Sequence, residues 1–347
     1  MSIESGLNSI VKVAVIGLGK MGISHCSIIN AHPDVNLVSV CDSSTFVLEA
    51  FKKYSNKSVY TDYKNMLEKN EINAVIVATP TKYHYEMVSF ALSKDIHVFC
   101  EKPFALKIPE AEEMVRTAAE RRLVNQVGYH NRFIGTFQEV KRLLESKVIG
   151  EIHHFSGEAY GPVVVKEKGG SWRSERREGG GCLYDYSSHV INLIDYVLAV
   201  PKMVKGTLLK KIFSKNVEDA VYSTLILENG LSGTLSVNWS DETFRKMSTS
   251  ITVWGKEGKI VADAQQVKLY VNRENKIKNL RKGWNIKYIT DLTSPVNFFL
   301  RGEEYSSQMD YFIDHVKNRN LENLNSFESA LRTDRVIDLL IKGAGIL

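Results

Sequence analysis

Short apolar runs, each closed by a turn and followed by a segment of helical spacing, recur through the first third of the chain. Residues 11–16 are rich in β-branched side chains and enter a glycine turn. Residues 21–31 then repeat apolar positions at helical spacing until His32-Pro33 stops them. A strand over 35–41 and a helix over 44–54, with Ser43 or Ser44 as its cap, complete a βαβ unit. Residues 59–60 predict a short strand, Asp62 caps a small helix, and 74–78 form a buried strand ended by Thr79-Pro80-Thr81. A helix over 83–94, a strand over 97–100, a helix over 109–122 opened by Pro109 and a strand over 123–127 continue the alternation. That alternation predicts an α/β fold with a doubly wound parallel sheet.

After Gly128 the period changes. A helix over 137–146 is followed by strand patterns at 152–160, 220–227, 231–239, 250–254 and 267–271. Glu228-Asn229-Gly230 and Lys256-Glu257-Gly258 have hairpin-turn chemistry, so these strands are expected as antiparallel neighbours. Leu231, Thr234-Leu235 and Val237-Trp239 do not alternate, which predicts a sheet covered on both faces, by helices and by another subunit. Residues 272–287 are polar and basic and are expected as a solvated loop. Amphipathic helices are expected over 305–317 and over 327–343, the second capped by Ser326. With 347 residues, two domains are expected: a dinucleotide-binding domain over 1–128, and an α+β domain over 129–347 for substrate binding and oligomerisation, whose C-terminal helix can pack back on the first.

Composition narrows the partners. The 45 Lys and Arg against 40 Asp and Glu give a net charge of only +5, with no basic stripe for nucleic acid. Cys26, Cys41, Cys100 and Cys182 lie far apart without a C-x-x-C pair; they read as reduced thiols in a cytoplasmic protein and predict no metal site. No leader pattern and no run near the roughly 18 apolar residues of a membrane span is present, so neither secretion nor membrane insertion is expected.

The glycine turn carries the first chemistry. Gly17 permits the tight turn, Gly19 lets the backbone approach a pyrophosphate, and Gly22 lets helix and strand pack closely. The helix start at Lys20 and Met21 offers N–H groups to phosphate. Asp42, about twenty residues on and at the end of the second strand, suits the adenosine ribose hydroxyls and repels a 2′-phosphate. Ser43 and Ser44 follow with no arginine, so NAD is expected in preference to NADP.

Two further constellations point to a reaction. Glu101-Lys102-Pro103 closes the strand over 97–100, and the proline holds Lys102 extended at the sheet edge where such folds bind ligands. An ammonium there can stabilise an alkoxide. Gly179-Gly180-Gly181 forms a loop, after which Asp185 and His189 fall on one face of a helix, four residues apart, where a carboxylate can orient an imidazole as general base. Tyr129, His130, Asn131 and Arg132 follow another strand; Tyr129 and Arg132 are the expected donors to a polyhydroxylated ligand. Between residues 166 and 178, Lys166, Lys168, Arg173, Arg176 and Arg177 outnumber Glu167, Glu175 and Glu178. A solvated mixed-charge loop is expected there, with a phosphate clamp as the alternative.

The glycine fingerprint, Glu101-Lys102-Pro103, the segment from Gly128 to Phe133 and the segment from Gly179 to His189, in that order, resemble the Gfo/Idh/MocA family of glucose-fructose oxidoreductases and inositol dehydrogenases over nearly the whole chain. The resemblance implies an N-terminal Rossmann domain, a C-terminal α+β domain with a large, mostly antiparallel open sheet, and homodimers or homotetramers through that sheet. It also implies hydride exchange between NAD and a ring hydroxyl or ketone of a sugar, cyclitol or sugar derivative. Lys102, Asp185 and His189 fall on its catalytic positions, and its Lys-Pro bond is often cis. Thr79, Pro80, His84, Glu101 and Lys102 fall along the cofactor, and Trp172 and Arg173 on a loop facing the substrate. Two departures, Ser187 where glycine is common and Asn192 where a second acid is common, bear on substrate identity. A dehydrogenase of nucleotide sugars or sugar phosphates, an enzyme that never releases its cofactor, and a non-catalytic dinucleotide sensor are the alternatives.

Overall fold

The computed structural model describes residues 10–167, 172–275 and 279–344, which divide into two compact units. The first unit contains Met1–His130 and Pro295–Leu331, and the second Asn131–Ser294 and Arg332–Leu347.

In the first unit, β1 (Val11–Ile16), β2 (Val35–Cys41), β3 (Ser58–Tyr60), β4 (Ala74–Val77), β5 (His97–Cys100) and β6 (Asn125–Val127) form one parallel sheet in the order β3-β2-β1-β4-β5-β6. The order reverses between β1 and β4, which places a ligand crevice beyond their carboxyl ends. α1 (Lys20–Asn30), α2 (Thr45–Tyr54), α3 (Tyr63–Lys69), α4 (His84–Ser93) and α5 (Ile108–Glu120) make the crossovers. Ser44 caps α2 by accepting from Val47 N, and Asp62 caps α3 by accepting from Lys64 N. Every residue of β4 is buried, as a parallel strand covered on both faces requires.

Each face of this sheet has its own core. On one, Ala14, Ile16, Val75, Val77 and Val98 meet Met66, Val88, Leu92 and Met114 of α3, α4 and α5. On the other, Val13, Val15, Ile76 and Phe99 meet Ile28 and Ile29 of α1, Leu48 of α2, and Met309, Phe312 and Ile313 of the helix Glu303–Asn318. Phe312 meets the edge of Phe99 with ring centroids 5.8 Å apart. Burying such a side chain contributes about 1.5–3 kcal/mol. This covering of β5 explains why 295–331 clusters with the first unit, whereas the sequence reading placed it in the span 129–347.

In the second unit α6 (Gly135–Glu145) and α7 (Ser188–Val197) accompany eight strands: β7 (Ile152–Tyr160), β8 (Pro201–Lys210), β9 (Ala220–Leu227), β10 (Ser232–Asn238), β11 (Ser248–Gly255), β12 (Gly258–Asp263), β13 (Gln266–Val271) and β14 (Gly283–Tyr288). Their order is β14-β13-β12-β11-β7-β10-β9-β8, with β7 and β10 parallel and all other neighbours antiparallel. Both expected hairpin turns join antiparallel strands, β9 to β10 and β11 to β12. Close packing of α7 on β7 needs Gly157, where a Cβ would lie 2.6 Å from Val190.

Two local expectations are corrected. β10 alternates cleanly, with Gly233, Leu235 and Val237 buried and Thr234 exposed, and buried Trp239 just beyond it keeps the same phase, so its pattern does not require cover on both faces. The expected loop over 272–287 contains most of β14, an edge strand paired with β13 only, whose Trp284, Ile286 and Tyr288 remain exposed. Half-exposed edge strands carry little burial contrast for a sequence pattern to report.

Candidate functional site

The carboxyl end of β1 turns at Gly17, whose φ of +92° suits glycine, and a Cβ there would lie 2.6 Å from the Ala78 carbonyl oxygen. At Gly22 a Cβ would lie 1.7 Å from the Gly17 carbonyl oxygen, so helix and turn are in backbone contact. Gly19 is different: a Cβ there would meet nothing within 4 Å, leaving open space in front of α1. No side chain caps α1 and no acid occupies its first turn. The N–H groups at Lys20 and Met21 therefore face a cradle that fits a pyrophosphate. Asp42 closes the other side: Oδ2 accepts from Leu18 N at 2.7 Å and Oδ1 from Ser44 N at 2.8 Å, so the turn itself holds the carboxylate. Ser43 beside it is exposed.

At the end of β4, Thr79 is half-buried and Pro80 exposed. His84 is fully buried, with Nε2 2.9 Å from the Thr79 carbonyl oxygen and Nδ1 3.2 Å from that of Phe104. Burial holds its pKa below the ordinary histidine value against the pull of those carbonyls. The ring braces the loops after β4 and β5.

At the end of β5, the Lys102-Pro103 bond is cis and Lys102 is half-buried. Glu101 points inward: its carboxylate lies 2.7 Å from His25 Nε2 and accepts the Lys102 backbone N–H at 3.1 Å. Burial alone would raise the Glu101 pKa, but the His25 hydrogen bond and charge, with Lys102, hold it below the ordinary glutamate value. Its carboxylate thus ties the loop after β5 to α1.

In the second unit Leu183–Ser187 forms a π turn leading into α7, so the predicted α-helical spacing of Asp185 and His189 crosses a segment of wider pitch. Such turns recur at functional sites. Both residues are buried. Asp185 Oδ2 accepts from Arg173 Nε at 3.2 Å, and the Arg173 guanidinium stacks 4.5 Å from the Trp172 ring centre. Glu218, which sequence reasoning missed, accepts from Leu183 N at 2.9 Å and pairs with Arg176. Burial raises its pKa above the ordinary glutamate value despite Arg176. Glu218 also explains Gly181, where a Cβ would lie 2.3 Å from its carboxylate. The only sequence signal was an acidic pair, Glu218-Asp219, leading into the apolar strand β9. Lys168 lies outside the described residues.

Two residues expected at the substrate, Tyr129 and Arg132, are buried. Tyr129 is 1% exposed, packs in the first unit's core, and its carbonyl oxygen accepts from Asn325 Nδ2 at 2.6 Å. Arg132 is buried in the second unit: Nε donates to Asn192 Oδ1 at 2.7 Å and Nη2 to Asp195 Oδ2 at 3.0 Å, while Arg332 also reaches Asp195. Asn192 in turn donates to Thr333 at 3.1 Å. Arg132→Met is expected to lower the unfolding free energy in urea by about 3 kcal/mol, the lower end for breaking a buried pair, since Asp195 keeps Arg332.

Among the described residues no group of three or more His, Cys, Asp or Glu could hold a metal ion, and no helix is long and apolar enough to cross a membrane. All four cysteines are free and buried, and burial pushes the thiols of Cys26 and Cys41 up to about 12, away from reactivity.

The first unit thus has the form of a dinucleotide-binding oxidoreductase domain. Residues 11–129 match the Gfo/Idh/MocA oxidoreductase family, NAD-binding Rossmann fold, and residues 137–261 match the Gfo/Idh/MocA C-terminal domain. The chain belongs to this family and is an NAD(P)-dependent dehydrogenase of CH–OH groups. It is similar to the D-glucoside 3-dehydrogenase of Escherichia coli (strain K12), 31% identical over 68% of this chain and 71% of that one. It is also similar to the myo-inositol 2-dehydrogenase of Thermotoga maritima, 23% identical over 91% of this chain and 87% of that one. Its fold matches levoglucosan dehydrogenase in complex with NADH and levoglucosan, with a TM-score of 0.86 at 20% identity over 96% of each chain.

Proposed function

We propose that the protein oxidises a ring hydroxyl of an uncharged sugar or cyclitol, or reduces the corresponding ketone, with NAD as its cofactor. The bound nicotinamide supplies one step, acceptance of a hydride. In oxidation, His189 removes the hydroxyl proton, Asp185 compensates the imidazolium charge, and the Lys102 ammonium stabilises the oxygen as the carbon gives up its hydrogen with the bonding pair. Trp172 and Arg173 serve the sugar by stacking and hydrogen bonding. Gly17, Gly19, Lys20, Met21 and Gly22 hold the pyrophosphate, Asp42 and Ser43 the adenosine ribose, and Thr79 and Pro80 the nicotinamide half.

The observation that carries the substrate class is the pairing of Arg173 and Arg176. Arg173 is paired with Asp185 and Arg176 with Glu218, so these two arginines are engaged by the protein's own carboxylates. That favours a neutral polyol over a sugar phosphate or nucleotide sugar. NADH formation followed at its absorbance band, across inositols, glucosides and anhydrosugars against nucleotide sugars, tests this; turnover confined to nucleotide sugars would reverse it. Tight NADH binding with no turnover on any of them would favour the sensor.

The choice of NAD rests on Asp42, whose carboxylate is fixed by the glycine turn and would face a 2′-phosphate. Asp42→Ala is expected to raise KM for NAD about tenfold, in line with loss of a hydrogen bond to a charged group, and to narrow the preference over NADP. Steady-state kinetics with both cofactors reads this. We further place the protein in the cytoplasm, in keeping with its free thiols. We also assign it a homodimer or homotetramer through the sheet face carrying Tyr270, Trp284, Ile286 and Tyr288, all exposed. Sedimentation of the wild type and a Trp284→Lys variant tests the assembly.

A further inference from the structure

We propose that His25 and Gly128 are positioning residues for Lys102, acting through the Glu101 carboxylate. The proposal rests on the role given to Lys102 above, and all four residues belong to the first unit.

Glu101 is held from three elements. From α1, His25 Nε2 lies 2.7 Å from Oε1. From the loop after β5, the Lys102 backbone N–H donates to Oε2 at 3.1 Å. From the end of β6, Gly128 lies so close that a Cβ there would be 2.9 Å from Oε2 and 3.1 Å from Oε1. His25 is completely buried, its Nδ1 has no hydrogen-bond partner among the described residues, and its ring meets the edge of Phe99 at 5.2 Å. A carboxylate only accepts, so Nε2 carries the proton and points it at Glu101.

The arrangement fixes the peptide from which the lysine side chain departs. A buried carboxylate is costly, and an apolar pair of equal volume would serve stability as well or better. What the carboxylate adds is direction: it ties the N–H of Lys102 to the helix whose first turn forms the pyrophosphate cradle. The amine is thereby oriented relative to α1 by one rigid link, His25 to Glu101 to Lys102. Gly128 leaves the room that this link occupies; any larger residue would press on a carboxylate that is already pinned.

The test uses full-length His25→Leu, His25→Gln and Gly128→Ala. NADH affinity is read by fluorescence, and kcat and KM with whichever polyol is oxidised. The rate of amine labelling of Lys102 is read by peptide mass mapping, with exposed Lys52 as internal control. His25→Leu and Gly128→Ala are expected to bind NADH within about twofold of wild type but to lose about 10- to 100-fold in kcat, the penalty of a misplaced group. Lys102 labelling should change several-fold while that of Lys52 does not. His25→Gln, which keeps an N–H donor of similar reach, should recover most of the loss. The double variant His25→Leu/Gly128→Ala should be no worse than the poorer single one, because both break the same link. Should His25→Leu fail to fold, Gly128→Ala and His25→Gln read the link alone. A folded His25→Leu or Gly128→Ala with wild-type kcat and wild-type Lys102 labelling overturns the proposal. If the wild type oxidises no polyol, the functional reading fails, and the labelling arm still decides the positioning role.

Discussion

Replacing Lys102 with methionine, or His189 with asparagine, is expected to lower kcat by about 10²–10⁴-fold while leaving NADH affinity close to wild type. Methionine keeps the length and apolar stem of lysine but lacks the charge that would stabilise the developing alkoxide. Asparagine keeps a polar group near the position of one ring nitrogen but cannot accept the proton. In the proposed roles each change removes an interaction made at the reacting oxygen, so the loss should fall on kcat rather than on KM for NAD. If the two groups serve one transition state, the double variant should lose far less than the product of the single losses. Single-turnover kinetics under saturating cofactor measures both.

Gly22→Ala is expected to abolish NADH binding and to lower the unfolding free energy by about 3 kcal/mol, the upper end for overpacking. The added methyl would sit 1.7 Å from the Gly17 carbonyl oxygen, a backbone atom that cannot rotate away. Relief requires α1 to move off β1, and that movement opens the cradle in which Lys20 and Met21 present their N–H groups. Gly19→Ala provides the contrast. Its methyl meets no protein atom within 4 Å, so the apo fold should be as stable as wild type while the pyrophosphate loses its approach. Urea unfolding paired with NADH titration separates the two glycines.

The parts of this site that could be read from sequence are those whose geometry is local. Gly17, Gly19 and Gly22 act through backbone shape within six residues, and Ser44 and Asp62 cap the helices they precede. Asp42 follows from the length of one βαβ unit. What could not be read is side-chain direction set by distant partners. His25 is 76 residues from the Glu101 carboxylate it meets. Arg132 turns inward because Asn192 and Asp195 wait on α7. His84 is claimed by two backbone carbonyls from different loops. Glu101, Arg132 and His84 each stand beside a strand end where a ligand contact was expected, and each is hydrogen-bonded by a buried partner from elsewhere in the chain. The π turn before α7 was equally hidden, because apolar spacing at 183–198 fits an α-helix as well.

In the proposed reaction a ring carbon–hydrogen bond is broken and its hydrogen is delivered to nicotinamide. Inositols and glucosides deuterated at their carbinol carbons, incubated with the wild-type protein and NAD, measure it by mass spectrometry of the recovered dinucleotide. NAD²H is expected from at least one of these polyols, formed at a rate that Lys102→Met reduces about 100-fold or more, within the range expected for the loss of its charge. Recovery of only unlabelled cofactor from every polyol, by a protein that binds NADH tightly, would contradict it.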